Sequence, residues 1–157
     1  TIVAQNNGAG RLDRVKECLQ IASKWGWILI IPLSVIMAAG SEWWMKIFTK
    51  DPEVISLGVT FLWIMLWTEW SYVLGGIHLS ALQGMKRPFM GFLSPLLRTV
   101  LGRIIVFSVA INIYHFGIEG IFWGIVGLNT IMTCFVMWYT KRKLDQELEK
   151  IAPTQNS

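Results

Sequence analysis

The sequence predicts an all-α integral membrane protein with four transmembrane helices. Three observations lead there. Four apolar runs are each long enough to cross a hydrocarbon core of about 30 Å, and short polar turns separate them. Charged residues make up only 15% of the chain and the mean hydropathy is +0.49, whereas a soluble domain carries about a quarter charged residues. The formal charge of +4 lies at the ends of the runs rather than in one patch, which is where membrane proteins place Lys and Arg. No nucleic-acid partner is expected; the lipid bilayer is.

Residues 1–24 are polar, then amphipathic. Arg11, Arg14, Lys16 and Lys24 are interleaved with Leu12, Val15, Leu19 and Ala22. This reads as a loop and then a helix that lies at the headgroup surface or leads into the membrane. The first span is about 25–45, with Trp25 and Trp27 at one interface and Trp43 and Trp44 at the other. Pro32 lies within it, which a membrane helix tolerates with a kink. Lys46, Lys50, Asp51, Pro52 and Glu53 form a polar connection.

The second span is about 56–85 and ends in a basic turn, Gly84-Met85-Lys86-Arg87-Pro88. The third runs from 88 to about 113. The stretch from Ile104 to Phe116 is too short to cross a core of about 30 Å at about 1.5 Å per residue. The span therefore takes in Arg103, and Arg98 with it. Residues 114–119 form the next turn. The fourth span, 120–140, is free of charge and closes at Lys141-Arg142-Lys143. Residues 144–157 read as a tail, helical at first and disordered around Pro153. The organisation is thus a lead-in (1–24), a four-helix membrane region (25–143) and a tail. Nearly all Lys and Arg fall on the side shared by the two ends and the Lys86 turn, which places both ends in the cytoplasm.

The second span carries Glu69 near its middle, and an ionisable group at that depth points to function by default. At about 100° per residue, Leu62, Met65, Glu69, Tyr72, Gly76, Ser80 and Gln83 share one side. Trp63, Trp67, Trp70 and Leu74 take the other. The first side suits a packed or watery interior, the second lipid or an apolar neighbour. Glu69, Tyr72 and Gln83 are the candidate cation- or substrate-binding residues. Glu69 lies 17 residues before Lys86 and Arg103 lies 17 after it, so an antiparallel hairpin brings both to one depth. A Glu69–Arg103 ion pair is expected, either a static brace or a pair that opens during a working cycle. Arg98, nearer the cytoplasm, is expected to snorkel. His78 is read as a packed or interfacial histidine rather than a ligand, and Gly120 and Gly124 as a helix-contact device.

Cys18 and Cys134 read as two free thiols. The chain has no GxxxxGK[ST], HExxH or GxSxG motif and no Cys/His cluster. No enzyme, cofactor or metal site is expected. Anything moved across the membrane must be driven by an ion gradient or by its own.

Four short stretches carry a resemblance. Gln5-Asn6-Asn7-Gly8-Ala9-Gly10, followed by Arg11-Leu12-Asp13-Arg14, resembles the Gln-x-x-Gly-Ala-Gly loop of multidrug and toxin extrusion (MATE) transporters. The turn 47–55, the turn Leu82-Gln83-Gly84-Met85-Lys86-Arg87-Pro88 and the stretch 117–123 are similar to later turns of that family, in the same order and spacing. The resemblance implies the last four helices of a twelve-helix, two-lobed transporter, whose remaining helices are partners. It implies export of cationic or amphipathic organic compounds across the plasma or bacterial inner membrane in exchange for Na+ or H+. In several members a carboxylate on the tenth helix binds the coupling cation. Glu69 is on the matching helix, about one turn from the position, near Tyr72, where some relatives carry an aspartate. Two rivals are kept: a lipid-linked sugar flippase of the same superfamily, suggested by Arg98 and Arg103, and a small four-helix scaffold protein. The polar start speaks against the scaffold. Because the chain opens on Thr1 rather than Met, it is expected to be processed or part of something longer.

Overall fold

The computed structural model describes residues 1–112 and 117–151. Among the described residues the chain forms seven α-helices and one π-helical turn. They are α1 (Ile2–Gly8), α2 (Leu12–Ala39), α3 (Ser41–Phe48), α4 (Pro52–Gly84), α5 (Pro88–Leu96), the π turn (Leu97–Leu101), α6 (Gly102–Asn112) and α7 (Gly117–Ile151). Four helices are long and apolar enough to cross a membrane: Leu12–Ala39, Pro52–Gly84, Pro88–Val109 and Ile118–Glu149. Of the expected outer turn, residues 117–119 already belong to α7; residues 114–116 and Pro153 lie outside the described residues.

The Gln5–Gly10 motif is a helix and its stop, rather than a loop. Gly10 has φ 69°, its N–H donates to the Asn7 carbonyl (3.1 Å) and the Arg11 N–H to the Asn6 carbonyl (2.9 Å). That is the left-handed glycine stop in which two backbone bonds satisfy the last carbonyls. The basic turn after α4 repeats it with bonds from Lys86 to Gln83 and from Arg87 to Leu82. Here Lys86 takes the left-handed position, at φ 61°, where a side chain is strained. Lys86→Gly should therefore raise stability by about 1 kcal/mol, read as a higher unfolding midpoint.

Two expected boundaries move. Of the two readings of the lead-in helix, the one that leads into the membrane fits: Leu12–Ala39 is one continuous helix with no boundary at residue 25, and Leu12, Val15 and Leu19 are buried (5%, 0% and 8% exposed) rather than laid on a headgroup surface. At its far end α2 stops at Gly40, which also starts α3. A Cβ at Gly40 would stand 2.9 Å from the Trp44 indole nitrogen, so the break is where the α3 aromatics fold back. Within α3 the exposed Glu42 and Lys46 pair at 2.5 Å; hydrogen bonding to Lys46, then its charge, holds the Glu42 carboxyl below its usual range. The chain restarts at α4, where Asp51 caps the Glu53 N–H (2.9 Å) and Pro52 takes the first turn.

α4 is the central helix. With 33 residues it is about 50 Å long, more than a bilayer core needs. It runs parallel to α7 in one register: Phe61 meets Phe122 edge-on at 5.0 Å, Thr133 bonds the Ser71 carbonyl, and Leu82 and Leu144 share a core. α2 packs on another side of α4. Gly26 admits Val73 and Ile77, at 3.1 and 3.2 Å from where its Cβ would be, and Trp27 stacks on Trp70 at 5.9 Å. Small residues at such crossings are how membrane helices gain dispersion contact. Gly124 does the same for Val106 of α6.

The best-buried cluster lies at one end: Leu12, Val15, Leu19, Ala81, Leu82, Met85, Val136 and Leu144. The expected tail therefore begins as part of α7 and of this core, because Leu144 is 3% exposed. Two ion pairs tie it down, Arg87–Glu147 at 2.8 Å and Lys16–Asp145 at 3.8 Å. Gly84 lets α1 cross here, since a Cβ would stand 2.9 Å from Val3. Ten of the 14 basic residues belong to this end, and only Lys46 and Lys50 to the other. Elsewhere the outside is apolar, with Trp25, Leu29, Ile36, Trp67 and Phe92 all more than half exposed. The chain itself buries only 6–22% of each span's most apolar window. Lipid or further protein must cover the rest.

Candidate functional site

The site is assembled where α4, the π turn and α7 meet. Pro95 precedes the π turn, and a proline lacks the N–H that continues an α ladder. The next turn widens, closed by the Gly102 N–H on the Leu97 carbonyl. Such widened turns occur often at functional positions. This one aims Arg98 back onto α4, where its guanidinium carbon lies 4.4 Å from the centre of the Tyr72 ring. That is a cation held on an aromatic face. Gly75 makes room for it. A Cβ there would stand 3.3 Å from the Thr133 hydroxyl oxygen and 4.0 Å from Arg98 Nη1.

Behind Arg98 runs a buried polar seam that charge and motif alone do not point to. Thr68, Ser71, Asn129 and Thr133 are each at most 2% exposed. Thr68 donates to the Met65 carbonyl (2.8 Å), Ser71 to Thr68 (2.6 Å) and Thr133 across to Ser71 (3.0 Å). Asn129 is the exception: its amide nitrogen is buried without a hydrogen-bond partner. Buried polar groups are nearly always paired, so this orphan marks a place where the seam is incomplete. A signal was present in the sequence. Thr68, Ser71 and Gly75 fall on one helical stripe of α4, and Asn129 and Thr133 are one turn apart in the charge-free stretch 120–140.

The structure places the expected site residues as follows. Tyr72 is 40% exposed and carries Arg98. Glu69, one turn away on the same side, is half-buried, and none of the described residues forms a hydrogen bond or ion pair with it. Next to them Gly76 has open space where a side chain would be, and Ser80 is exposed. This face of α4 is therefore uncovered by the rest of the described chain. Gln83 does not join the group. It lies 11 residues beyond Tyr72, about 16 Å along the helix, against Gly91 of α5. Gln5, Gly8, Ala9 and Gly10 are exposed, at the C-terminal part of α1 and its stop; they shape the basic end of the fold.

The expected Glu69–Arg103 ion pair is absent, and Arg103 is exposed on α6. Counting from Lys86 gave the depth but assumed an unbroken α-helix. The π turn adds a residue before Arg103 and rotates everything after it by about 100°. Arg98, within the turn, takes the inward place instead. His78 is half-buried, and its Nδ1–H donates to the Leu74 carbonyl (2.9 Å), as a packed histidine would. It also borders a cavity of about 520 Å³ between α2 and α7, beside Lys16, Trp138 and Lys141.

The MatE family model matches residues 1–109, more than two thirds of the chain. The chain belongs to the MatE family. It is a multi-pass membrane protein of a transporter superfamily. No curated protein and no solved structure matches it. The match ends within α6, so the Thr133 and Asn129 side of the seam comes from a helix beyond the matched residues, packed onto the MatE portion through α4 and α6.

Proposed function

We propose that this MatE chain is the C-terminal part of an antiporter that exports cationic or amphipathic organic compounds in exchange for Na+ or H+. One observation carries the reading: a guanidinium rests on the Tyr72 ring, one turn from Glu69, which has no partner among the described residues, on an uncovered face of α4. A lone carboxylate at membrane depth is costly and gains by taking up a proton or a metal cation. An aromatic ring beside it is the surface on which an organic cation stacks. The uncovered face supplies the way in, and remaining helices of the transporter would close a cavity over it. Arg98 and Arg103 are what a lipid-linked sugar flippase would offer its pyrophosphate. Arg98, however, is already occupied by an aromatic face and leaves only Arg103 free for that task.

The test is transport by the full-length protein in sealed vesicles. An inward Na+ or H+ gradient should drive efflux of ethidium or tetraphenylphosphonium, and the efflux should stop when the gradient is collapsed. Gradient-independent movement of a lipid-linked sugar, with no organic-cation efflux, would favour the flippase. The basic end is assigned to the cytoplasm of the cell or bacterial inner membrane. With Cys18 and Cys134 replaced by Ser, Lys86→Cys should react with an impermeant maleimide only from the cytoplasmic side and Lys50→Cys only from outside. The reverse pattern would overturn this orientation.

A further inference from the structure

In the reading above Arg98 only marks the Tyr72 ring as a cation-holding surface, yet it occupies the place where an exported cation would stack. We infer that Arg98 is a built-in third cation that makes the two transported cations mutually exclusive, by moving between the Tyr72 ring and the Glu69 carboxylate. The inference rests on the proposed function and deepens it.

The geometry supplies each part. Tyr72 and Glu69 are three residues apart on one helix, and such neighbours have Cβ atoms about 5–6 Å apart. A long arginine side chain spans both from one backbone position. Arg98 is only part-buried and forms no ion pair among the described residues, where its charge is held by the ring contact. Glu69 likewise forms no hydrogen bond or ion pair among the described residues, and Gly76, one turn beyond Tyr72, leaves this face of the helix open. Gly75, which has no side chain, leaves room for the guanidinium, whose Nη1 would lie 4.0 Å from a Cβ placed there.

Two states follow. With a coupling cation or proton on Glu69, the carboxylate has no attraction left for Arg98, which lies on Tyr72 and keeps organic cations off it. When an organic cation takes the ring, Arg98 is displaced onto Glu69 and expels the coupling ion. Each cation excludes the other without touching it, as obligatory exchange demands. The contact seen here has Arg98 where the first state puts it.

The test is a double-variant cycle on the full-length transporter in lipid nanodiscs, with tetraphenylphosphonium as the probe. Glu69→Gln deprives Arg98 of its alternative place, so probe affinity should fall about tenfold, within the usual span of coupling between sites. In an Arg98→Gln background the same change should alter affinity less than twofold, and Arg98→Gln alone should bind the probe more tightly than wild type. Arg98→Lys, which keeps the charge, should restore the dependence on Glu69. An equal loss from Glu69→Gln in both backgrounds would overturn the inference, because Glu69 would then be a direct counter-ion. Weaker probe binding in Arg98→Gln would overturn it too. If Tyr72→Leu binds the probe as wild type does, the stacking site is gone and the proposed function fails with it; a loss there combined with additive Glu69 and Arg98 effects defeats this inference alone.

Discussion

Glu69→Gln should abolish ion-driven export while leaving the protein inserted and folded. The amide keeps the shape of the carboxylate but can neither hold a metal cation by charge nor carry a proton. Initial rates of ethidium efflux, with and without the gradient, should become equal in the variant. Undiminished gradient-driven efflux would refute a coupling role for this residue. Stability provides a second check. Removing one member of a buried ion pair typically costs about 3–5 kcal/mol, and a Glu69–Arg103 brace would make the variant fragile. Because no such pair forms and Glu69 is half-buried without a partner among the described residues, the neutral side chain should leave the unfolding midpoint unchanged or raise it.

Gly102→Ala should be the most disruptive single-methyl change in the third span. Gly102 closes the π turn through its N–H on the Leu97 carbonyl. An added Cβ would stand 2.9 Å from that carbonyl and press into the Leu128 side chain. Either α6 separates from α7 or the π turn reverts to α, and both outcomes re-aim Arg98. Overpacking of this kind costs about 1–3 kcal/mol, measurable as a lower unfolding midpoint. A second substitution, Leu128→Ala, removes the side-chain clash but not the carbonyl contact. Stability should recover in part while Arg98-dependent probe binding does not. Complete recovery of both would mean the π turn contributes nothing to the site.

Much of the fold could be read from local features. The Pro52 restart follows from Asp51 ahead of a proline, and the left-handed stop of α1 from Gly10. The inner turn at Lys86 was expected too, although a lysine in that conformation was not. Glu69 and Tyr72 were recognisable because polar groups are costly in lipid, so a stripe of them on an apolar helix must face protein, water or a ligand. Gln83 shared the stripe by angle alone, and its distance along the axis takes it to the α4–α5 hairpin. Asn129 and Thr133 carry no charge, so they stand out less from an apolar helix than Glu69 does, although amides and hydroxyls commonly bond across membrane helices.

From the sequence alone came the number of spans, the shared end of the two termini and the Lys86 turn, and the side of α4 on which a cation is met. Transfer into lipid and the placement of basic residues are sums over neighbours in the chain, so they need no knowledge of packing. Only the tertiary structure decided which arginine answers that side. Helix phase accumulates residue by residue, and one widened turn at Leu97–Leu101 shifts it by about a quarter-turn. That shift turns Arg103 outward and lays Arg98 on Tyr72.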